Sequence, residues 1–252
     1  MTKSKKSLNF QSVKSTSYSN QEALFDGENG LPKYNLSIVK AFYDFFIQDG
    51  SKQGKIESIL DFGAGGGHLA DIFKTKHDVK PTCVEIDPEL CRVLAKKNYQ
   101  VLIDLQNLNH PLFMIYSSNV LEHIENDSET LKEIYTKLEK NGKLALYVPA
   151  GMFLFSDLDV KAGHFRRYGK KELIKKVRDS GFTVEKCFYN DFLGVPASLV
   201  LKVFGYRNKL NIGDGKSLVF YDQIIYPVSQ VLDRLGMKYI IGKNLYIFAV
   251  KK

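Results

Sequence analysis

The sequence predicts an α/β protein built on a mainly parallel, seven-stranded sheet, with helices on both faces and a helical insert before the last strand. Three observations carry this expectation. From Ile56 onward, short apolar runs alternate with segments of helical spacing, the pattern of strand–helix–strand units. The first run ends in a glycine-rich turn that opens a helix: Ile59-Leu60-Asp61-Phe62-Gly63-Ala64-Gly65-Gly66-Gly67-His68. The alternation is interrupted once, at residues 193–241, which are too many for a plain loop.

Taken in order, residues 1–20 read as a flexible tail, rich in Ser, Lys, Asn and Thr and without an apolar period. Residues 21–252 form the folded domain, beginning with the turn cluster Asp26-Gly27-Glu28-Asn29-Gly30. Asn35 is placed to cap a first helix, in which Ile38, Ala41, Phe42, Phe45 and Phe46 share a face. Asp49-Gly50-Ser51 ends it. Strands are predicted over 56–62, 81–86, 99–105, 112–117, 143–148, 183–189 and 245–250. Helices are predicted over 67–76, 88–97, 128–139 and 170–180, with Asn141-Gly142 as a turn before the fifth strand. Within 193–241, Val195 to Phe204 and Leu218 to Leu235 repeat apolar residues at helical spacing, so the segment reads as an inserted helical pair.

Composition bounds the function. The 252 residues are 44% hydrophobic and 25% charged, a globular mix that excludes a disordered or fibrous chain. No apolar run reaches the ~18 residues of a spanning helix, and the first 20 residues lack the apolar core of a secretory signal. Cys83, Cys91 and Cys187 are odd in number and show no Cys-x-x-Cys spacing, which fits a reducing cytoplasm. The net charge of +8 is uneven: residues 1–160 carry 18 Lys+Arg against 21 Asp+Glu, whereas residues 161–252 carry 18 against 7. The basic C-terminal part suggests either a solvated lysine-rich surface or an anionic partner: a phosphorylated or carboxylated substrate, an anionic lipid surface, or nucleic acid.

The glycine turn carries the chemistry. Glycines permit tight turns and close approach of backbone to ligand, and free N–H groups at the helix start favour an anion. The spacing is Gly-x-Gly-x-Gly with His68 following, which counts against a dinucleotide site. Asp61, at the end of the first strand, would repel a pyrophosphate and attract an amino group. Glu85, 24 residues on at the end of the second strand, stands where a carboxylate holds ribose hydroxyls. A ligand with an amino-acid end and a ribose satisfies all three features.

Here the sequence resembles the class I S-adenosylmethionine-dependent methyltransferases, over about residues 34–192. Asp61-Phe62-Gly63-Ala64-Gly65-Gly66-Gly67 is similar to the motif that wraps the methionine part of the cofactor, and Glu85 in Val84-Glu85-Ile86-Asp87 to the ribose-binding acid. Asp104 in Ile103-Asp104-Leu105 matches the acid near the adenine amine. Ser117-Ser118-Asn119-Val120-Leu121-Glu122-His123-Ile124 resembles the fourth-strand motif that borders the methyl group. Leu138-Glu139-Lys140-Asn141-Gly142-Lys143-Leu144 resembles the turn that follows, with Asn141 where Gly or Pro is usual. Gly163-His164-Phe165-Arg166-Arg167-Tyr168, together with the ending Asn244 to Lys252, resembles a bacterial subgroup with a Gly-His-x-Arg-Arg-Tyr signature, associated with surface-polysaccharide or lipid-linked sugar pathways. The resemblance implies a Rossmann-like doubly wound fold. It implies S-adenosyl-L-methionine as cofactor and S-adenosyl-L-homocysteine as product. Its cofactor contacts fall on Asp61, Gly63, Ala64, Gly65, Gly67, Glu85, Ile86, Asp104, Leu105, Ser118 and Asn119.

Methyl transfer from a sulfonium is an in-line displacement, in which the protein aligns the reactants and excludes water. Where the acceptor is a hydroxyl, a proton must leave. His123 and His164 are equal candidates for that base, and His123 has a second reading as a helix-start residue bonded to backbone. His164, Arg166, Arg167 and Tyr168 lie in the loop after the fifth strand and would roof a substrate site, the arginines meeting a phosphate or carboxylate. The alternative is a structural clamp, with the arginines bonded to Asp157 or Asp159. Tyr34 either closes over the ligands or is a core aromatic. The histidines show no metal spacing, so no metal site is expected.

The expected acceptor is a small or lipid-linked molecule, anionic, methylated at oxygen or nitrogen. A nucleic-acid methyltransferase is the alternative, opposed by the absence of an Asn/Asp-Pro-Pro-Tyr/Phe motif after the fourth strand. A non-catalytic binder of the cofactor is another. The insert reads as a lid, a dimer interface, a membrane-surface element or a packed subdomain. The expected location is cytoplasmic, with peripheral contact at the inner membrane surface as a further reading.

Overall fold

The computed structural model describes residues 31–48, 58–204 and 215–252. The expectations for the tail at 1–20, the turn at 26–30, the helix stop at 49–51 and the strand start at 56–57 lie outside these residues.

Helix α1 spans Pro32–Ile47. Strand β1 (Ile59–Phe62) runs through the glycine turn into α2 (His68–His77). Then come β2 (Thr82–Val84), α3 (Pro88–Lys96), β3 (Val101–Leu102) and β4 (Leu112–Ser118). After them lie α4 (Asp127–Lys137), β5 (Leu138–Pro149), the short α5 (Asp157–Lys161), α6 (Lys170–Asp179) and β6 (Thr183–Asn190). The insert contributes α7 (Gly194–Phe204), α8 (Gly215–Phe220), a π turn at Tyr221–Ile225 and α9 (Tyr226–Arg234), ahead of β7 (Asn244–Val250).

The seven strands lie in the order β3-β2-β1-β4-β5-β7-β6. All neighbours pair in parallel except β7, which runs antiparallel to both β5 and β6. Strand order therefore reverses between β1 and β4, and the crevice beyond their carboxyl ends is where an open α/β sheet binds ligands.

Two cores sandwich the sheet. Alternate residues of each strand point to opposite faces, so Leu60 and Phe62 join Ile115, Leu144, Leu146 and Ile247 against Leu131 and Ile134 of α4 and Leu173 and Val177 of α6. The other face carries Ile59, Tyr116, Tyr147, Tyr246 and Phe248, covered by Phe42, Phe45 and Phe46 of α1, Phe73 of α2 and Tyr226 of the insert. Asp61 shares that second face, where the Tyr116 hydroxyl donates to it at 2.9 Å.

Three local expectations are corrected. Helix α1 starts at Pro32 and is not capped by Asn35. Its first N–H groups, those of Lys33 and Tyr34, donate to Oδ2 and Oδ1 of Asp222, at 3.1 and 2.9 Å. The cap comes from the insert, 188 residues away from Tyr34, where no local pattern points to it. The third strand shrinks to two residues, because Asp104 accepts from Gln106 N–H and starts a 3-10 turn at Leu105. The fifth strand begins five residues early, at Leu138. Its pairing with β4 jumps from Leu112↔Leu138 to Met114↔Lys143, so 139–142 bulges within the strand. Asn141 sits there at φ +65°, a left-handed conformation that Asn tolerates.

Candidate functional site

The glycine turn forms one half of the site. Gly63, Gly65 and Gly67 have φ of +78°, +55° and +82°. A Cβ on Gly63 would lie 2.4 Å from Cγ2 of Val120, so this turn and the loop after β4 touch, and only glycine fits between them. Gly63 and Ala64 donate their N–H groups to the carbonyl of Val84, which pins the turn to the end of β2. Glu85 continues that link: Oε2 accepts from Gly65 N–H at 2.8 Å, and Oε1 from Ile86 and Asp87 N–H at 2.8 and 2.9 Å.

A carboxylate offers about four acceptor positions, so Glu85 keeps capacity for a further donor. Asp61 and Glu85 are both buried, at the ends of adjacent strands. Ile86 is exposed beside Glu85, and Asp104 is half-buried at the end of β3. Leu105 is fully buried in the core, which leaves only its backbone for a ligand. Ser118 ends β4. Asn119 follows at φ +53°, its N–H donating to the Tyr147 carbonyl at 2.8 Å. The residues present fit a ligand with an amino-acid end and a ribose: a side-chain-free cradle, flanked by two buried acids on neighbouring strands.

The second half lies beyond β4 and β5. A 3-10 turn, Leu121–His123, follows β4 and presents Glu122 and His123. The segment 163–168 returns over it, with Phe165 N–H donating to the Glu122 carbonyl at 2.8 Å and His164 N–H to the Asp159 carbonyl at 2.8 Å. The rings of His123 and His164 meet edge to face, centroids 4.6 Å apart. His164 Nδ1 is 2.8 Å from Asp159 Oδ1, and its Nε2 is 4.0 Å from Glu122 Oε1. The Arg167 Nε–H donates to the same Asp159 oxygen at 2.8 Å.

Burial shapes the charges here. It pushes the Glu122 carboxyl up to about 8, and it pushes His123 down to about 4, with His164 adding to the fall. Burial also works to raise Asp159, but hydrogen bonds from His164 and Arg167 outweigh it and hold that carboxyl at about 2.

The remaining roof residues form a brace. Arg166 donates to the carbonyls of Ile124 and Glu125 and pairs with Asp127 at 2.8 Å. Tyr168 is fully buried, and its hydroxyl donates to Asp127 at 2.8 Å. Lys176 of α6 completes the group, at 2.7 and 2.8 Å from the two Asp127 oxygens. Arg167 is nearly buried and its Nη1 has no protein partner. Tyr34 is a core aromatic, its hydroxyl 2.7 Å from that of Tyr147 and 3.2 Å from Asn244 Oδ1.

The structure thus brings His123, His164 and Arg167 together and commits Arg166 and Tyr168 to Asp127. Neither Glu122 nor Asp127 stands out in the sequence as a site residue. Glu122 sits inside the fourth-strand motif, but nothing in its neighbours signals its burial.

The family profile described as "Methyltransferase domain" matches residues 33–186, and the chain belongs to that family. It is an S-adenosylmethionine-dependent methyltransferase, and S-adenosylmethionine is its cofactor. None of the curated proteins matches it in sequence. Solved structures share the fold. A SAM-dependent methyltransferase of Archaeoglobus fulgidus is 14% identical, with a TM-score of 0.57 over 86% of this chain and 92% of its own. Phosphoethanolamine N-methyltransferase 2 of Haemonchus contortus, in complex with S-adenosyl-L-methionine, is 16% identical with a TM-score of 0.60 over 98% of this chain and 60% of its own. Magnesium protoporphyrin IX methyltransferase of Synechocystis PCC 6803, with bound SAH, is 13% identical with a TM-score of 0.51 over 86% and 83%.

Proposed function

We propose that this methyltransferase moves the methyl group to an oxygen or nitrogen of a small or lipid-linked anionic acceptor, of the kind used in surface-polysaccharide or glycolipid assembly. The observation that carries this reading is the Asp159–His164 pair, held at 2.8 Å beyond the carboxyl ends of β4 and β5 and next to the loop whose Val120 touches the glycine turn.

In this reading Asp61 and the Gly63–Gly67 turn hold the amino-acid end of the cofactor, and Glu85 and Ile86 flank the ribose. Asp104 and the Leu105 backbone meet the adenine, and Ser118 and Asn119 border the methyl group. The cofactor supplies an electrophilic methyl carbon on a sulfonium. The protein aligns the acceptor with that carbon and excludes water, which by itself is worth several kcal/mol. Of the two histidines, His164 is the one equipped to accept the acceptor's proton. Asp159 holds one ring nitrogen and stabilises the imidazolium that forms. His123, pushed down to about 4, stays neutral and serves as a polar wall.

The unpartnered Nη1 of Arg167 supports an anionic group on the acceptor. Arg166 and Tyr168 position this arrangement through Asp127, and Tyr34 supports it from the core. The insert supports a lipid-linked acceptor: Val200, Val203, Phe220, Ile224 and Val231 expose apolar side chains, with Lys202 among them. Among the described residues, no helix is long and apolar enough to cross a membrane, so the contact would be peripheral, at the inner membrane surface.

A transfer assay with radiolabelled S-adenosylmethionine against sugar phosphates and polyprenyl-linked sugars tests the reading. Label should enter an anionic sugar or glycolipid, and His164→Ala should lower kcat with little change in cofactor affinity. Label entering only nucleic acid, or full turnover by His164→Ala, would contradict it.

A further inference from the structure

The cluster beyond β4 and β5 contains more than an acid–base pair needs. Glu122, His123 and His164 each offer one ligand atom, and those atoms lie within 4.8 Å of one another. Glu122 is 0% exposed, and neither of its carboxylate oxygens is hydrogen-bonded to another residue. A buried carboxylate in that state is costly unless a cation meets it. The guanidinium of Arg167 is close enough to act on Glu122 by charge, but its Nε–H is bound to Asp159 and it makes no hydrogen bond to Glu122.

Both histidines have an acceptor beside the ring, and for His164 it is a carboxylate at hydrogen-bond distance. His164 Nδ1 is held by Asp159 Oδ1 at 2.8 Å, which leaves Nε2 on the side of Glu122 Oε1, 4.0 Å away. The carbonyl of Ala162 lies beside the ring of His123. One ring nitrogen tied to a carboxylate or carbonyl fixes the tautomer and aims the other, which is the support that metal-binding imidazoles receive. The backbone bond from Phe165 N–H to the Glu122 carbonyl ties the two segments together, and the bond from His164 N–H to the Asp159 carbonyl closes the turn that carries His164. The ligand pairing is therefore built into the fold although His123 and His164 are far apart in sequence, which is why local spacing did not reveal it.

We propose that Glu122, His123 and His164 form a binding site for one divalent first-row transition ion. Two imidazoles and one carboxylate suit Zn2+, Co2+, Mn2+ or Fe2+, whereas Mg2+ and Ca2+ take oxygen ligands. Metal–ligand bonds of about 2.0–2.2 Å require the three side chains to close by about 1 Å on loading. Three protein ligands leave coordination positions for an oxygen of the acceptor. The inference rests on the reading of this cluster as the acceptor end of the site. With an ion present, His164 is a ligand and accepts no proton; an acceptor hydroxyl bound to the ion would lose its proton to solvent before its oxygen takes the methyl group.

The test uses full-length protein stripped by chelation and titrated calorimetrically with Zn2+, then with Co2+ followed by visible absorption. One ion per chain is expected, with Co2+ bands of a low-symmetry nitrogen–oxygen site. His123→Ala, His164→Ala and Glu122→Gln should each weaken binding by at least about tenfold, while melting curves and S-adenosylmethionine binding stay at wild-type levels and show that the fold is intact. No stoichiometric binding by the wild type, or affinity unchanged in all three variants, overturns the site. Tight binding with no effect of the ion on methyl transfer upholds the site and removes it from the acceptor end. Transfer by a protein that binds no ion upholds the proposed function and removes the metal.

Discussion

In the proposed reading Asp61 and Glu85 do most of the work of holding the cofactor, and both are buried at strand ends where water competes poorly for them. Asp61→Asn and Glu85→Gln each remove a charge-assisted contact worth about 1.5–3 kcal/mol, so each should weaken S-adenosylmethionine affinity about 10- to 150-fold in a calorimetric titration. Gly63→Val should abolish binding altogether, because even a Cβ lands 2.4 Å from Val120.

Asp127 is the residue on which the brace turns. Burial tends to raise its carboxyl, but the bonds from Lys176, Tyr168 and Arg166 prevail and keep it below the ordinary carboxylate range. A carboxyl whose folded pKa is depressed contributes stability above its unfolded pKa, about 3.9, and loses it as pH falls through the folded value. Asp127→Asn should therefore cost about 3 kcal/mol at pH 7 in urea denaturation. The gap from wild type should shrink as the pH drops below about 4. A gap that is constant with pH would show that the charge on Asp127 contributes nothing.

Among the elements, α1 and the insert depend on each other. The two N–H groups at the start of α1 are satisfied by Asp222 in the π turn, and Tyr226 fills the core beneath. Asp222→Ala should cost about 1–2 kcal/mol, the usual loss for an N-cap, and the melting temperature is the measurement. The insert's outer side has a different task in the proposed reading. Val203→Asp with Ile224→Asp changes exposed positions (68% and 52% accessible), so stability and cofactor binding should hold. Co-sedimentation with anionic lipid vesicles should fall. Unchanged co-sedimentation would remove the insert from any lipid contact.

Local patterns were enough to read several elements. The continuous apolar run Leu144 to Val148 and the helical face of α6 are properties of neighbours in sequence, as is the glycine turn with an acid before it. What escaped was non-local. The Asp222 cap, the pairing of Arg166 with Asp127 and the burial of Glu122 each join residues that only the closed sheet brings together. Bulging of β5 at Asn141 escaped for a related reason: Asn141-Gly142 is a sound turn signal, but its N–H is held by the Lys251 carbonyl at the far end of the chain. The roof loop shows both cases at once. Its His-x-Arg-Arg-Tyr run was visible, yet the partners that turn it into a brace were not.

At the scale of the whole molecule, the proposed reading has the crevice where strand order reverses, between β1 and β4, hold S-adenosylmethionine through Asp61, the glycine turn and Glu85. The most direct measurement is calorimetric titration of the full-length chain with S-adenosylmethionine, S-adenosylhomocysteine and, as a control, NAD, repeated on Asp61→Asn and Glu85→Gln. One saturable site is expected for the first two ligands and none for NAD, with affinity reduced at least about tenfold in each variant. Wild-type affinity retained by both variants, or no binding of S-adenosylmethionine to the folded protein, would contradict it.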